Sequence, residues 1–92
     1  MIAAADCFTI GVLVGVIEDQ DPTSRFGSTL AFERHLRTAV AHGLVTSSGE
    51  PTQRGVDLYE RHQMDTLPKG RAYLWPPTLT AEALAELNGA AS

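Results

Sequence analysis

The decisive stretch reads Arg37-Thr38-Ala39-Val40-Ala41-His42-Gly43-Leu44-Val45-Thr46, then Ser47-Ser48-Gly49-Glu50-Pro51, then Thr52-Gln53-Arg54-Gly55-Val56-Asp57-Leu58-Tyr59-Glu60. Its chemistry predicts the end of a helix at a Gly43 C-cap, a short β-branched strand, a Ser/Gly turn that reverses the chain, and a second helix capped by Thr52. In that second helix Val56 and Tyr59 stand one turn apart, and Gly55 permits close packing in the first turn.

Upstream, Ser28 is a second N-cap, and nothing breaks a helix from Thr29 to His42. Phe32, Leu36, Ala39 and Val40 share one face of it, and Ala31, Arg34, Arg37, Thr38 and Ala41 lie opposite. Two arginines among small residues suit entry into a groove. The ordinary alternative is a surface ion pair between Glu33 and Arg37, four apart in the favourable order. Before this helix, Asp21-Pro22 offers an N-cap acid and a proline at a first helical position, predicting one short helical turn through Phe26 stopped by Gly27.

The N-terminal run, residues 2–17, is strongly apolar. It contains Asp6, lacks a basic flank and falls short of the roughly 20 residues a bilayer requires, so neither a signal peptide nor a membrane span is expected. Phe8, Ile10, Val12, Val14 and Val16 alternate as in a strand, whereas the helical reading sets Gly11 and Gly15 one turn apart for close approach of another helix. The length favours a helix over residues 3–18. Downstream, Leu67-Pro68-Lys69-Gly70 is a turn, Arg71 to Trp75 a short strand ended by Pro76-Pro77, and Thr80 to Leu87 a short helix stopped by Asn88-Gly89. Leu79, Ala83, Leu84 and Leu87 form its apolar stripe, which either covers the domain or builds a dimer interface. Trp75 reads as a docking platform or, more commonly for a lone tryptophan, as core.

Ninety-two residues, 43% apolar, predict one domain, divided into an apolar helix (1–20), a central core (21–64) and a Pro-rich segment with a short helix (65–92). A chain this size buries only about two-thirds of its unfolded surface, so a partner protomer would help it. One cysteine fits a reducing cytosol, and a cytoplasmic location is expected. The net charge of −4 argues against a dedicated nucleic-acid binder, but it is unevenly placed. All seven bases lie between Arg25 and Arg71, against five acids there, so an acidic–basic–acidic chain carries a local +2 in its middle.

Catalytic constellations are missing from the sequence. His35, His42 and His62 have no neighbours at metal-ligand spacing, Cys7 sits in an apolar run, and Glu18, Asp19 and Asp21 lack the glycine and terminal glutamate of a calcium loop. No phosphate loop or nucleophile motif occurs, so neither enzymatic activity nor a metal or cofactor is expected. His42, just before the helix stop, reads as a partner for the helix dipole.

The order of elements resembles the winged-helix (winged helix-turn-helix) superfamily over residues 21–62, through Gly43-Leu44-Val45 and Thr52-Gln53-Arg54-Gly55, with a shortened second helix and a wing curtailed by Pro51. It implies a mainly α fold with a small β component: a winged-helix-like domain with a C-terminal strand and helix appended. A recognition helix would start near Ser28 and turn Thr29, Arg34, Arg37 and Thr38 outward, flanked by Arg25 and Arg54. The expected function is that of a small DNA-binding transcription regulator, dimeric through Gly11, Gly15, Trp75, Leu84 or Leu87, with double-stranded DNA as partner. The alternative from the same resemblance is a protein-interaction module, a phage-type inhibitor or adaptor whose acidic ends bind a basic partner.

Overall fold

A computed structural model of the chain describes residues 4–18, 29–66 and 77–89. Among them are four α-helices: α1 (Cys7–Ile17), α2 (Thr29–Ala41), α3 (Gln53–Arg61) and α4 (Pro77–Asn88), with one 3-10 turn at Met64–Thr66. The predicted turn at residues 21–27 and the strand at 71–75 lie outside the described residues.

Helix α1 is the centre of the molecule and packs against α2, α3 and α4. Thr9 to Gly15 are all buried, which is why its apolar pattern runs around the helix rather than along one stripe. The choice between strand and helix is settled locally by a capping box. Asp6 Oδ1 accepts the amides of Phe8 (3.0 Å) and Thr9 (3.1 Å), and Thr9 Oγ1 accepts the amide of Asp6 (3.1 Å). These bonds start the helix at Cys7, four residues later than expected, and with tertiary burial they outweigh its glycines and β-branched residues.

The end of α2 follows the sequence closely. Gly43 has φ +77°, its amide donates to Val40 (2.9 Å), and the Leu44 amide donates to Ala39 (3.0 Å). This is a Schellman stop, and Leu44 enters the core beside Ala39. The expected strand shrinks to a single antiparallel bridge between Val45 and Pro51. It is flanked by Thr46 N–H donating to Glu50 (2.7 Å) and Thr52 N–H to Leu44 (2.9 Å). Pro51 has no N–H to extend the ladder, so among the described residues the β component is this bridge alone.

Thr52 then caps α3: its Oγ1 accepts the Gly55 amide (3.0 Å) and lies 2.6 Å from the Gly43 carbonyl oxygen, to which it donates. Gly55 is buried with its Cα hydrogens against the Leu44 carbonyl and the Leu13 side chain. Helix α4 begins at Pro77, three residues before the expected Thr80, because proline's missing N–H costs nothing in a first helical turn. Ala83 is buried, and Leu84 and Leu87 pack partly buried against the same core. Among the described residues, two polar ties fasten α4. Glu86 bonds Arg61 and meets His62 Nε2 at 3.2 Å, and the Asn88 side-chain amide donates to Ala5 O and accepts from Ala5 N, both at 2.7 Å.

Tyr59 of α3 donates its phenol proton to Glu18 Oε2 just after α1. Burial first, then the carboxylate of Glu18, push the Tyr59 pKa above its ordinary value of 10.0. The folded protein therefore keeps this proton at alkaline pH where the unfolded chain has lost it. The resulting stabilisation is complete below pH 10 and declines as pH rises beyond it. In a Tyr73→Phe background, which leaves one tyrosine, tyrosinate absorbance is expected to develop well above the range of the unfolded chain. Tyr59→Phe is expected to flatten the alkaline fall in melting temperature, and an unchanged slope would refute the link.

Candidate functional site

Arg34, Arg37 and Thr38 share the side of α2 turned away from the core, with Arg34 and Arg37 exposed and Thr38 half-buried. The Thr38 hydroxyl donates to the Arg34 carbonyl at 3.3 Å, one turn back along the helix. Together with Ala4, Asp6 and His35 they line a recess of about 340 Å³ between α2 and the segment leading into α1. The expected Glu33–Arg37 ion pair does not form. Among the described residues no carboxylate lies within 4 Å of either guanidinium.

His35 forms one wall of the recess. Its ring stacks on Phe8 with centroids 4.8 Å apart, and its Nδ1 stands 4.0 Å from Asp6 Oδ1. Asp6 faces two ways. Its Oδ1 takes the capping bonds of α1 and the Thr9 hydroxyl (3.3 Å), while its Oδ2 has no hydrogen-bond partner among the described residues. Neither Asp6 nor His35 is among the residues the sequence assigns to this site. Nothing local gives warning of them, because the meeting of residue 6 with residue 35 depends on how α1 packs across α2.

Thr29 is exposed at the first position of α2, and beside it Leu30 is 66% exposed, the one large apolar side chain so exposed among the described residues. Arg54 is set apart from Arg34 and Arg37. Its Nε donates to the His42 carbonyl (3.0 Å), so it brings a cation to the C-terminal end of α2, the place the sequence assigns to His42; His42 itself is buried. Arg25, Ser28 and Trp75 lie outside the described residues.

Of the residues expected at a dimer interface, Gly11, Gly15, Leu84 and Leu87 are among the described residues. Gly11 and Gly15 are buried in α1 within the single chain. Leu84 and Leu87 turn toward the core and are only partly covered by it. Among the described residues no three metal-ligating side chains cluster. The Cys7 thiol is pushed above its ordinary pKa by burial and then by the nearby Asp6. No helix among the described residues is long and apolar enough to cross a membrane. Comparison with protein-family models, with curated proteins and with solved structures returns no match.

Proposed function

We propose that this chain is a small winged-helix-like DNA-binding protein, a transcription regulator that acts as a dimer on double-stranded DNA. The observation that carries the reading is the pair Arg34 and Arg37, exposed on one face of α2 and free of any carboxylate among the described residues. Guanidinium groups in that state are available to phosphate oxygens or base edges, with the Thr29 hydroxyl on the same helix and Thr38 able to join by releasing its bond to the Arg34 carbonyl. The winged-helix assignment rests on the succession of α2, the Gly43 stop, the Val45–Pro51 bridge and the Thr52-capped α3. So small a basic face engages little of a duplex on its own, and a dimer on two half-sites doubles what is engaged.

Duplex binding by the full chain is expected to weaken as salt rises, with a negative log–log slope. The double change Arg34→Ala, Arg37→Ala is expected to reduce that slope by about one to two, on the order of one for each phosphate no longer neutralised. Fluorescence anisotropy with a labelled duplex at several salt concentrations measures both. An absence of duplex binding at low salt overturns the proposal.

Leu30 favours a second reading, a protein-interaction module. On a helical wheel it lies between Arg34 and Arg37, so a protein partner that covers it buries apolar area and meets two arginines, a residue type enriched in binding hot spots. A partner complex abolished by Leu30→Asp, in a chain that never binds duplex, would establish this reading in place of the first.

A further inference from the structure

The recess beside α2 has a charge pattern that a DNA backbone does not fully use. Two guanidinium groups without carboxylate partners line it from one helix, and Asp6, whose Oδ2 is unpartnered among the described residues, lines it from the segment before α1. A phosphodiester brings one negative charge and no hydrogen-bond donor, leaving Asp6 to repel it. A phosphomonoester brings about −1.5 to −2 near neutral pH, which matches two arginines. A hydroxyl on the same molecule supplies the donor that Asp6 lacks. The volume, about 340 Å³, lies in the lower part of the range for small-molecule sites.

We propose that this recess binds a small phosphorylated polyol of the sugar-phosphate class. The phosphate sits against Arg34 and Arg37, and a ligand hydroxyl donates to Asp6. The Phe8–His35 stack holds the imidazole as a fixed wall. Asn88 is a positioning residue, because it grips both backbone polar groups of Ala5, the residue between the two N-terminal members of the lining. The assignment does not depend on duplex binding, although a ligand on these arginines would compete with DNA for them.

The test titrates the full-length chain with ribose 5-phosphate, inorganic phosphate and ribose, following backbone amides and the His35 ring by NMR. Ribose 5-phosphate is expected to give saturable shifts at residues 4–6 and 34–38, ribose none, and inorganic phosphate weaker ones. Arg34→Ala and Arg37→Ala, both at exposed positions, are expected to weaken ribose 5-phosphate by about tenfold or more each. Asp6→Asn keeps an N-cap side chain, removes the repulsion and weakens the acceptor. It is therefore expected to bind inorganic phosphate more tightly while narrowing the preference for the sugar phosphate. No saturable shift at millimolar ligand, equal affinity for phosphate and ribose 5-phosphate, or indifference to both arginine changes overturns the proposal. Duplex binding measured on the same samples separates the two ideas: duplex bound without sugar phosphate removes only this one, and the converse removes only the DNA reading.

Discussion

Gly55→Ala is expected to cost the domain about 3 kcal/mol or more of its stability. A Cβ on residue 55 would overlap the Leu44 carbonyl oxygen and stand 2.9 Å from Leu13 Cδ1. The second clash is with a side chain that has some freedom to move. The first is with backbone locked by the Schellman stop of α2 and by the Thr52 amide, so relief requires α3 to lift away from the loop before it. Alanine gains about 1 kcal/mol of helix propensity over glycine, which the overpacking exceeds, for a net loss of about 3 kcal/mol or more. Against the roughly 5–10 kcal/mol that holds a small domain together, this is a large fraction. A urea or thermal melt by circular dichroism measures it. Gly49→Ala is the control: its φ of +89° strains an alanine by about 1–2 kcal/mol, but nothing lies within 4 Å of the added methyl. Gly55 itself is helical, so a loss no larger than that of Gly49→Ala would show that the packing clash at position 55 is relieved cheaply.

Leu13→Ala is expected to be at least as damaging, at about 3–5 kcal/mol. Leu13 is fully buried on the central helix and touches the Gly55 position, so the space it vacates is bordered by α1 and α3 and closes poorly. Leu84→Ala, half-buried on α4, is expected to lose only about 1–2 kcal/mol, from area removed from water rather than from a cavity. The double variant Leu13→Ala, Gly55→Ala separates the two clashes. Shortening Leu13 relieves the side-chain clash but leaves the Leu44 carbonyl in place, so the double variant is expected to be no more stable than either single one. Recovery of stability would mean that Leu13 was the obstacle.

What is legible in the sequence is what short stretches of chain decide for themselves. The Gly43 stop, the Thr52 cap and the tight first turn of α3 each depend on two or three adjacent residues, and each stands where the sequence places it. The start of α1 is equally local, in Asp6 and Thr9 three apart, but an acid within an apolar run reads as an interrupting charge rather than as a cap. The wing reads longer than it is because Val45 and Thr46 favour a strand, while the single Pro51 limits its partner to one bridge. At the candidate site, helical spacing suffices to group Arg34, Arg37 and Thr38. Asp6 and His35 join them only through the packing of α1 on α2, and Tyr59 meets Glu18 only through the packing of α3 on α1. Meetings across that separation carry no signature in a single sequence.

The grip of Asn88 on Ala5 also has a place in time. Joining residues 83 positions apart in a free chain costs about 4 kcal/mol of loop-closure entropy beyond a constant, more than two neutral hydrogen bonds return. The clasp cannot nucleate folding; it closes after α1, α2 and α3 have condensed and drawn the ends together. By the same reasoning it is the first tie to open in the native state, and the Ala5 amide proton is set to exchange with solvent far sooner than those of Ile10 to Val14. Each opening frees Ala4 and Ala5 while the capping bonds still hold Asp6, so the Ala4 edge of the recess breathes at a frequency set by an amide side chain near the opposite end of the described chain.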